Sequence, residues 1–357
     1  MIPRVVHVAS GREWRGGQRQ VWLLAQELQG RGIDQVVVTS AGSELARRLS
    51  NSRVRVQTAS WEAGLDPRVI PVILKTIGRP TLLHAHDGHA VTLAGLCAGI
   101  TRTPFVITRR VTFPLRRRYF WRRACRIITI SGAVRDALLT DGLDPSKLVV
   151  IPSALDPAAT TASAVDFRSR LDLPRSGQVA ITLGSLTPEK DHSTLIAAAS
   201  RLVRDLPNLH WIIVGEGPLE QSLHDAIARA GLAGRVHLVG QLEDPHRALA
   251  GVDVFVLSSL QEGLGSSILA AMARDIPVVA TRVGGVVDLL GSGGGLMVDA
   301  GCPAELAEAV RRVLGDEALR GRLVSRARNE LGRFSVSGMA EQVISVYRSC
   351  AHTLDGS

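Results

Sequence analysis

Residues 258–267 have the residue types that suit an anionic ligand with hydroxyl groups. An apolar run, 252–257, ends in small polar residues, and Glu262, two close glycines and a run of helix formers follow. This order predicts a strand, a tight loop and a helix N-terminus, whose free N–H groups and positive dipole end attract phosphates. Glu262 would accept hydrogen bonds from hydroxyls beside that phosphate. The stretch indicates a sugar nucleotide; an ordinary strand-to-helix turn with a surface glutamate is the alternative.

Three further glycine-containing turns follow apolar runs in the second half of the chain, at 183–192, 214–218 and 283–285. Because ligands of parallel α/β sheets bind at the carboxyl ends of the strands, these turns and the Glu262 loop are expected to line one cleft. Lys190 lies where a loop meets a helix, so its ammonium would meet a diphosphate there. Ordinary turn chemistry is the alternative for the whole set.

The elements that must position these turns are short β-rich runs that alternate with helical patterns, which predicts parallel sheets covered on both faces. The predicted strands are 5–9, 35–39, 54–58, 81–85, 105–108, 126–130, 148–151, 179–183, 210–214, 236–239, 254–257 and 278–281. The predicted helices include 18–29, 304–314, 317–332 and 336–351. An Ala-, Thr- and Pro-rich stretch, 154–166, is predicted to be a linker.

The length of 357 residues exceeds what one core ordinarily holds. We therefore expect an α/β protein with two doubly wound, Rossmann-like domains that face each other across a cleft. The expected domains are 1–160 and 161–333. A helix within 334–357 is expected to cross back to the N-terminal domain.

The net charge of +9 is concentrated in the first half, because residues 1–160 contain 23 Lys and Arg against 11 Asp and Glu. This half is therefore expected to meet an anionic partner. No apolar run reaches 18 residues, and the N-terminus enters a strand without a signal-peptide pattern, so we expect a cytoplasmic protein. The four cysteines are scattered and are expected to be reduced, structural thiols.

The order of the motifs resembles the retaining glycosyltransferases of family 4, which have the GT-B fold. The matching segments are 183–190, 213–218, 236–240, 262–265 and 277–285, with Gly16-Gly17, 130–134 and 150–153 in the first half. The resemblance spans nearly the whole chain. It implies that 1–160 is the acceptor-side domain and that 161–333 binds the nucleotide sugar. It implies transfer of a sugar from a nucleoside-diphosphate sugar to a hydroxyl of a cell-envelope glycan or glycolipid, with no metal or other cofactor.

The resemblance also implies roles for individual residues. Gly16 and Gly17 would approach the distal phosphate of the donor by backbone. Lys190 would neutralise the diphosphate, and Glu262 would hold sugar hydroxyls. The other implied donor-binding residues are Ser185, Glu216, Gln241, Leu242, Gly263, Leu264, Gly265, Ser266 and Ser267. The implied acceptor-side residues are His86, Asp87 and Arg109.

Retaining chemistry in this family is described as a front-face displacement, in which the departing phosphate takes the proton of the acceptor. No protein nucleophile is then required. The task of the protein is to stabilise charge on the leaving diphosphate.

Three positions depart from the family pattern. Ala270 stands where the family has a second acid for the ribose, and Ser185 stands where it often has an arginine. Arg110 occupies the position of a histidine near the sugar, and our hypothesis is that it replaces the charge lost at Ser185 and joins Lys190 and Glu262 as a catalytic residue. The alternative function is a non-catalytic or regulatory GT-B homologue that binds a nucleotide sugar or a partner subunit. An epimerase and a dehydrogenase are disfavoured, the latter because the first strand lacks a G-x-G-x-x-G turn.

Two further signals lie in the first half. His84, His86, Asp87 and His89 suggest a metal site, but no cysteine or second acidic cluster completes one, so no metal is predicted. The basic run from Arg116 to Arg123 has aromatics in its middle, which suits an anionic membrane surface at the inner face of the plasma membrane; a solvated helix face is the alternative. Nucleic acid is not predicted, since no nucleic-acid module is present.

Overall fold

The computed structural model describes residues 4–62, 64–78, 80–115, 118–161 and 165–351. The chain forms two compact units: the residues up to Ala154 together with those from Phe334 onward, and Leu155–Arg333. The division falls after Ala154, a few residues before the boundary of 160 expected from the sequence. Among the described residues, no helix is both long and apolar enough to cross a bilayer.

The first unit is built on a parallel sheet. Its strands are β1 (Arg4–Ala9), β2 (Gln35–Ser40), β3 (Arg55–Ala59), β4 (Thr81–Ala85), β5 (Phe105–Arg109), β6 (Arg126–Thr129) and β7 (Leu148–Val150). Its first six helices are α1 (Gly16–Gly30), α2 (Glu44–Leu49), α3 (Val69–Thr76), α4 (Gly88–Thr101), α5 (Tyr119–Arg123) and α6 (Gly132–Thr140). A 3₁₀ turn, Pro145–Lys147, precedes β7. The strand order is β3-β2-β1-β4-β5-β6-β7, with every pair parallel.

The second unit repeats this plan with a second parallel sheet. Its strands are β8 (Gln178–Leu183), β9 (Leu209–Val214), β10 (Val236–Leu238), β11 (Val254–Leu257), β12 (Val278–Thr281) and β13 (Leu296–Val298), in the order β10-β9-β8-β11-β12-β13. Its helices are α7 (Ala158–Thr161), α8 (Phe167–Arg170), α9 (His192–Leu202), α10 (Glu220–Arg229), α11 (Ser266–Met272), α12 (Val286–Leu290), α13 (Pro303–Gly315) and α14 (Glu317–Glu330). Its 3₁₀ turns are Pro188–Lys190 and Pro245–Leu249.

The chain then returns to the first unit. A 3₁₀ turn, Leu331–Phe334, leads into the last helix, α15 (Val336–Ala351), which packs against α1. Successive side chains of a strand point to opposite faces, so Val5 of β1 lies in one hydrophobic cluster and Val6 in another. The cluster around Val5 includes Val343 and the fully buried Tyr347 of α15. The last helix therefore completes one face of the first sheet.

The predicted fold class, two doubly wound parallel sheets, is confirmed. The strand β13 was missed because its apolar run has only three residues and directly follows three glycines. The linker prediction for 154–166 is wrong in part, because Ala158–Thr161 is helical; residues 162–164 lie outside the described residues.

The prediction that all cysteines are reduced is wrong for two of them. A disulfide joins Cys125 to Cys350, with Cα atoms 6.0 Å apart, while Cys97 and Cys302 are free. The two partners are 225 residues apart in the chain, and only the packing of α15 brings them together. Spacing along the sequence therefore gives no sign of the pairing.

Removal of the disulfide is expected to destabilise the N-terminal unit. We expect Cys350→Ser to lower the free energy of unfolding by about 2–5 kcal/mol, because the crosslink closes a long loop. Thermal melting with and without reductant measures the effect, with Cys302→Ser as the control. Titration of four thiols in the denatured, unreduced protein, rather than two, would contradict the assignment.

Candidate active site

The second sheet reverses its strand order between β8 and β11, since β9 and β10 lie on one side of β8 and β11 lies on the other. At such a reversal the loops that follow the two strands diverge, and a crevice opens at their carboxyl ends. The loop after β8 contains Lys190, and the loop after β11 contains Glu262. The topology therefore brings these two sequence-predicted residues to the same crevice.

Lys190 and Glu262 form an ion pair in this crevice. Lys190 Nζ lies 2.5 Å from Glu262 Oε1, and the same oxygen accepts a 2.8 Å hydrogen bond from the hydroxyl of Ser259. The Glu262 residue is only 8% exposed. A carboxylate held by two donors has a fixed orientation, so it can present its remaining acceptor capacity to a ligand hydroxyl.

Hydrogen bonds lock the two loops together behind the ion pair. The backbone N–H of Leu260 donates to the carbonyl of Glu189 at 2.8 Å, and the hydroxyl of Ser258 donates to the carbonyl of Lys190 at 3.0 Å. Thr281, at the end of β12, donates its hydroxyl to the carbonyl of Ser259 at 2.6 Å. Three strand ends therefore hold the positions of the lysine and the glutamate.

Two glycines of the predicted turns are required by close backbone packing. Gly284 has φ of +48°, and a Cβ there would lie 1.9 Å from the carbonyl oxygen of Glu262. Gly215 has φ of +153°, and a Cβ there would lie 1.8 Å from the carbonyl oxygen of Gly184. Only glycine therefore fits at these two positions of the turns.

Ser185 has a buried neighbour that the sequence analysis did not single out. His192 Nε2 donates to the carbonyl of Ser185 at 3.0 Å if that nitrogen bears the proton. His192 is buried, its Nδ1 has no partner among the described residues, and its pKa is lowered, mainly by burial. The Ser185 hydroxyl lies 3.0 Å from that of Thr187. A buried histidine that has one ring nitrogen without a partner among the described residues, beside a predicted phosphate turn, becomes visible only once the loop is folded.

The same unit contains the remaining predicted donor-binding residues apart from Gly16 and Gly17, on loops and at the start of α11. Gly265 is the N-cap of α11 with φ of +88°, Leu264 is buried, and Ser266 begins the helix. The remaining members are Gly263, Ser267, Glu216, Gln241 and Leu242, of which Glu216 and Gln241 are exposed. Ala270 is 1% exposed within α11.

The first sheet reverses its strand order between β1 and β4, and polar residues meet there as well. Asp87 follows β4, caps α4 through the N–H of Ala90, and accepts the hydroxyl of Ser10 at 2.6 Å and its N–H at 2.7 Å. Gly16 and Gly17 begin α1, whose N-cap residue Arg15 makes no side-chain capping bond. The first N–H groups of this helix thus have no side-chain cap.

Arg110 lies beside the glycines at the start of α1. A Cβ on Gly17 would lie 3.7 Å from Arg110 Cδ, and Arg110 Nη1 donates to the carbonyl of His86 at 3.0 Å. Burial lowers the pKa of Arg110 to about 10, and the charge of Asp87 opposes this shift. The guanidinium therefore remains charged at neutral pH. Its Nε is buried without a partner among the described residues.

Arg109 faces its own loop. Its guanidinium donates to the carbonyls of Val111, at 2.9 Å, and Phe113, and it lies 5.4 Å from the ring centre of Trp121. These contacts hold residues 111–113 in place.

Three buried histidines cluster near the reversal of strand order between β1 and β4. His7, His84 and His86 have ligand atoms within 4.8 Å of one another; His7 belongs to this group and His89 does not. His7 Nδ1 lies 3.0 Å from His86 Nε2, and His84 bonds to the hydroxyls of Tyr347 and Thr108, each at 2.7 Å. Sequence reasoning missed His7 because only the β1–β4 register places it beside His84.

The histidine cluster is neutral at physiological pH. Burial lowers the pKa of His7 to about 4 and the pKa values of His84 and His86 well below 6.5. The neighbouring charge of Arg110 contributes to the shifts of His84 and His86. The same positive charge would oppose binding of a dication.

Both units of the chain match family models of glycosyltransferases. Residues 14–159 match the family model described as Glycosyltransferase Family 4, and residues 166–330 match the model Glycosyl transferases group 1. The lipopolysaccharide core biosynthesis glycosyltransferase LpsE of Rhizobium meliloti is 29% identical over 97% of this chain and 99% of its own. The 2-deoxystreptamine N-acetyl-D-glucosaminyltransferase of Streptomyces fradiae is 29% identical over 93% of this chain and 90% of its own.

Solved structures show the same fold. Anabaena HepE, crystallised with UDP and glucose, has a TM-score of 0.83 at 21% identity and covers 99% of this chain and 100% of its own. A glycosyltransferase from Rickettsia africae has a TM-score of 0.85 at 18% identity and covers 98% of both chains.

Each of the two doubly wound sheets has a polar centre at its reversal of strand order. Together with these matches, this arrangement defines a glycosyltransferase of the GT-B class. The chain belongs to glycosyltransferase family 4, and the resemblance inferred from its motifs is confirmed.

Substitution of Gly284 tests the packing behind Glu262. We expect Gly284→Ala to lower the free energy of unfolding by about 1–3 kcal/mol more than Gly231→Ala, because the added methyl overlaps the carbonyl of Glu262. Gly231 is the matched control, since its φ of +68° is also positive but nothing lies within 4 Å of its Cβ position. Denaturant unfolding followed by circular dichroism measures both; equal losses would contradict the packing argument.

The neutral histidine cluster predicts a pH dependence of stability. Below pH 6.5 the unfolded chain protonates these histidines, while folded His7 does so only near pH 4, so stability falls as the pH drops. His86→Gln is expected to reduce this slope between pH 6 and 5 by about 1.4 kcal/mol per pH unit. Urea unfolding followed by tryptophan fluorescence measures it. The exposed His89→Gln serves as the control, and an unchanged slope in His86→Gln would refute the assignment.

Proposed function

We propose that this glycosyltransferase moves a sugar, with retention of configuration, from a nucleoside-diphosphate sugar to a hydroxyl of a cell-envelope glycan or glycolipid. The observation that supports it most directly is the Lys190–Glu262 ion pair at the reversal of strand order in the second sheet. A cation for a diphosphate and a carboxylate for sugar hydroxyls lie side by side there. We further propose that the enzyme works in the cytoplasm, at the inner face of the plasma membrane.

The proposed mechanism assigns the charge stabilisation to two cations. As the bond from the sugar C1 to the phosphate oxygen breaks, a bond from C1 to the acceptor oxygen forms on the same face. The proton of the acceptor passes to the departing phosphate. Lys190 and Arg110 stabilise the negative charge that develops on the diphosphate, and no metal is required.

The other roles concern binding. Glu262 accepts hydrogen bonds from hydroxyls of the transferred sugar, while Gly16 and Gly17 approach the distal phosphate by backbone. The N–H groups from Gly265 to Ser267 meet donor oxygens, and Gln241 and Leu242 flank the base. His86 and Asp87 lie on the acceptor side, where Asp87 orders the loop through Ser10.

The names of the relatives guide the choice of substrates. LpsE is described as an enzyme of lipopolysaccharide core biosynthesis, and HepE was crystallised with UDP and glucose. UDP-sugars are therefore the first donors to test, and lipopolysaccharide-type glycans are the first acceptors.

A second candidate function rests on Ala270. A methyl group that is 1% exposed within α11 supplies no oxygen for a ribose. A homologue that binds a nucleotide sugar or a partner subunit without transferring sugar would tolerate this loss. Turnover separates the two candidates.

A thermal-shift screen with UDP, GDP, dTDP, ADP and CMP conjugates tests the proposal, because binding to the folded state raises the melting temperature. We expect one nucleoside diphosphate series to stabilise the protein and to be released on turnover. Lys190→Gln is expected to lower the transfer rate about 100- to 1000-fold. The exposed Lys75→Gln is the control. Stabilisation without release would favour the non-catalytic homologue, and no response to any conjugate would refute donor binding.

Arg110→Ala tests the replacement of the missing charge. Loss of charge-assisted bonds to the diphosphate is expected to weaken donor binding about 10- to 100-fold. Arg122→Ala removes an exposed arginine of the same unit and is expected to leave the affinity unchanged. Calorimetric titration with the donor found in the screen measures both, and equal affinities for wild type and Arg110→Ala would exclude the role.

We also propose contact with an anionic membrane through the basic run from Arg116 to Arg123. Arg116 and Arg117 lie outside the described residues. Within the rest, Arg118 pairs with Asp141 at 3.0 Å, Trp121 is buried, and Arg122 is exposed on the five-residue helix α5.

A further inference from the structure

A cavity of about 500 Å³ lies at the amino ends of β5, β6 and β7. The last turns of α4, the end of α5 and the residues that lead into the three strands form its walls. Four cationic residues line it: Arg102, Arg123, Arg126 and Lys147. Within the described part of the chain, its lining contains no carboxylate.

Neutral groups hold three of these four cations in place. Lys147 Nζ donates to a backbone carbonyl at 2.7 Å, and Arg126 Nη1 donates to the carbonyl of Cys125 at 2.9 Å. Arg123 Nη1 donates to the hydroxyl of Tyr119 at 3.0 Å. These bonds orient the side chains without neutralising their charges. The disulfide at Cys125 also fixes this wall to α15.

Nearby negative groups do not offset the positive charge. Asp144 senses two of these cations, and its carboxylate bonds to the hydroxyl and N–H of Ser146. Its pKa is lowered first by those bonds and further by Lys147 and Arg126. The carbonyl ends of α4 and α5 each contribute at most about half a negative charge. Four full charges therefore leave the pocket strongly positive.

Exposed apolar side chains adjoin residues that line the pocket, and we call Leu96, Ile100 and Tyr119 the rim of the pocket. Gly95 and Gly99 of α4 line it, and the next residues on the helix, Leu96 and Ile100, are 40% and 62% exposed. Tyr119, which bonds to the pocket residue Arg123, is 63% exposed. Exposed apolar groups around a cationic pocket match the boundary between lipid headgroups and acyl chains.

We propose that this pocket binds the phosphate headgroup of an anionic lipid while the rim side chains enter the membrane interface. Guanidinium groups match the geometry of phosphate oxygens. The exposed apolar rim favours a lipid over a soluble phosphate, because acyl chains can bury these side chains and a free phosphate cannot. The site is distinct from the candidate active site, which lies at the carboxyl ends of the strands. The inference rests on the membrane contact of the proposed function and gives it a specific ligand.

Vesicle sedimentation tests the pocket. Wild-type protein is expected to bind phosphatidylcholine vesicles that contain phosphatidylglycerol and not vesicles of phosphatidylcholine alone. R102Q/R123Q is expected to bind about 30-fold more weakly, because each cation near an anionic surface contributes about fivefold. The control R53Q/K75Q removes two exposed cations from the part of the unit around β3 and α3, and a loss below about twofold is expected. Equal losses in both variants, or no binding by wild type, would overturn the proposal.

A second arm separates a lipid from a soluble anion. Ile100→Ser is expected to weaken vesicle binding while leaving thermal stabilisation by inorganic phosphate unchanged. Stabilisation by phosphate that R102Q/R123Q abolishes, with no vesicle binding, would assign the pocket to a soluble phosphate and overturn the lipid. The nucleotide screen is repeated on R102Q/R123Q, where an unchanged response is expected. If R102Q/R123Q loses vesicle binding but still responds to nucleotides, the effect is confined to the pocket. If wild-type protein responds to no nucleotide, only the transferase proposal fails.

Discussion

The reversal of strand order within each parallel sheet is the constraint on which both polar centres depend. Two adjacent strands at a reversal send the following chain to opposite sides, so no connection fills the space above their carboxyl ends. Lys190 and Glu262 meet at one reversal, and Ser10 and Asp87 meet at the other. A different strand order with the same side chains would scatter these groups along the sheet edges.

Charge at the two centres is managed in different ways. Lys190 is paired in advance with Glu262, so each side chain offsets part of the cost of removing the other from water. Arg110 has neutral histidines and a backbone carbonyl around it, with Asp87 contributing only at longer range. The first centre therefore holds a cation and an anion side by side. The second holds a cation whose charge is only weakly balanced by nearby negative groups. An incoming diphosphate would therefore gain more from Arg110 than from an exposed arginine.

The parts of the fold that follow local patterns were predictable from the sequence. Buried parallel strands form continuous apolar runs, so twelve of the thirteen strands were found, and glycine turns after strands pointed to Lys190 and Glu262. Features created by long-range packing were not predictable. His7 joins His84 through strand register, Cys350 reaches Cys125 through helix packing, and Gly284 is fixed by the backbone of Glu262. No short window of sequence contains both members of any of these pairs.

The return of α15 to the first unit has a consequence for synthesis on the ribosome. The residues of the second unit emerge before Val336–Ala351, so the second unit has all its strands and helices before the first unit does. Until α15 emerges, the sheet face around Val5 and Leu82 lacks the cover that Tyr347 provides. The N-terminal half of the chain is therefore made first but finished last, and during elongation its apolar face is the surface that a chaperone would shield.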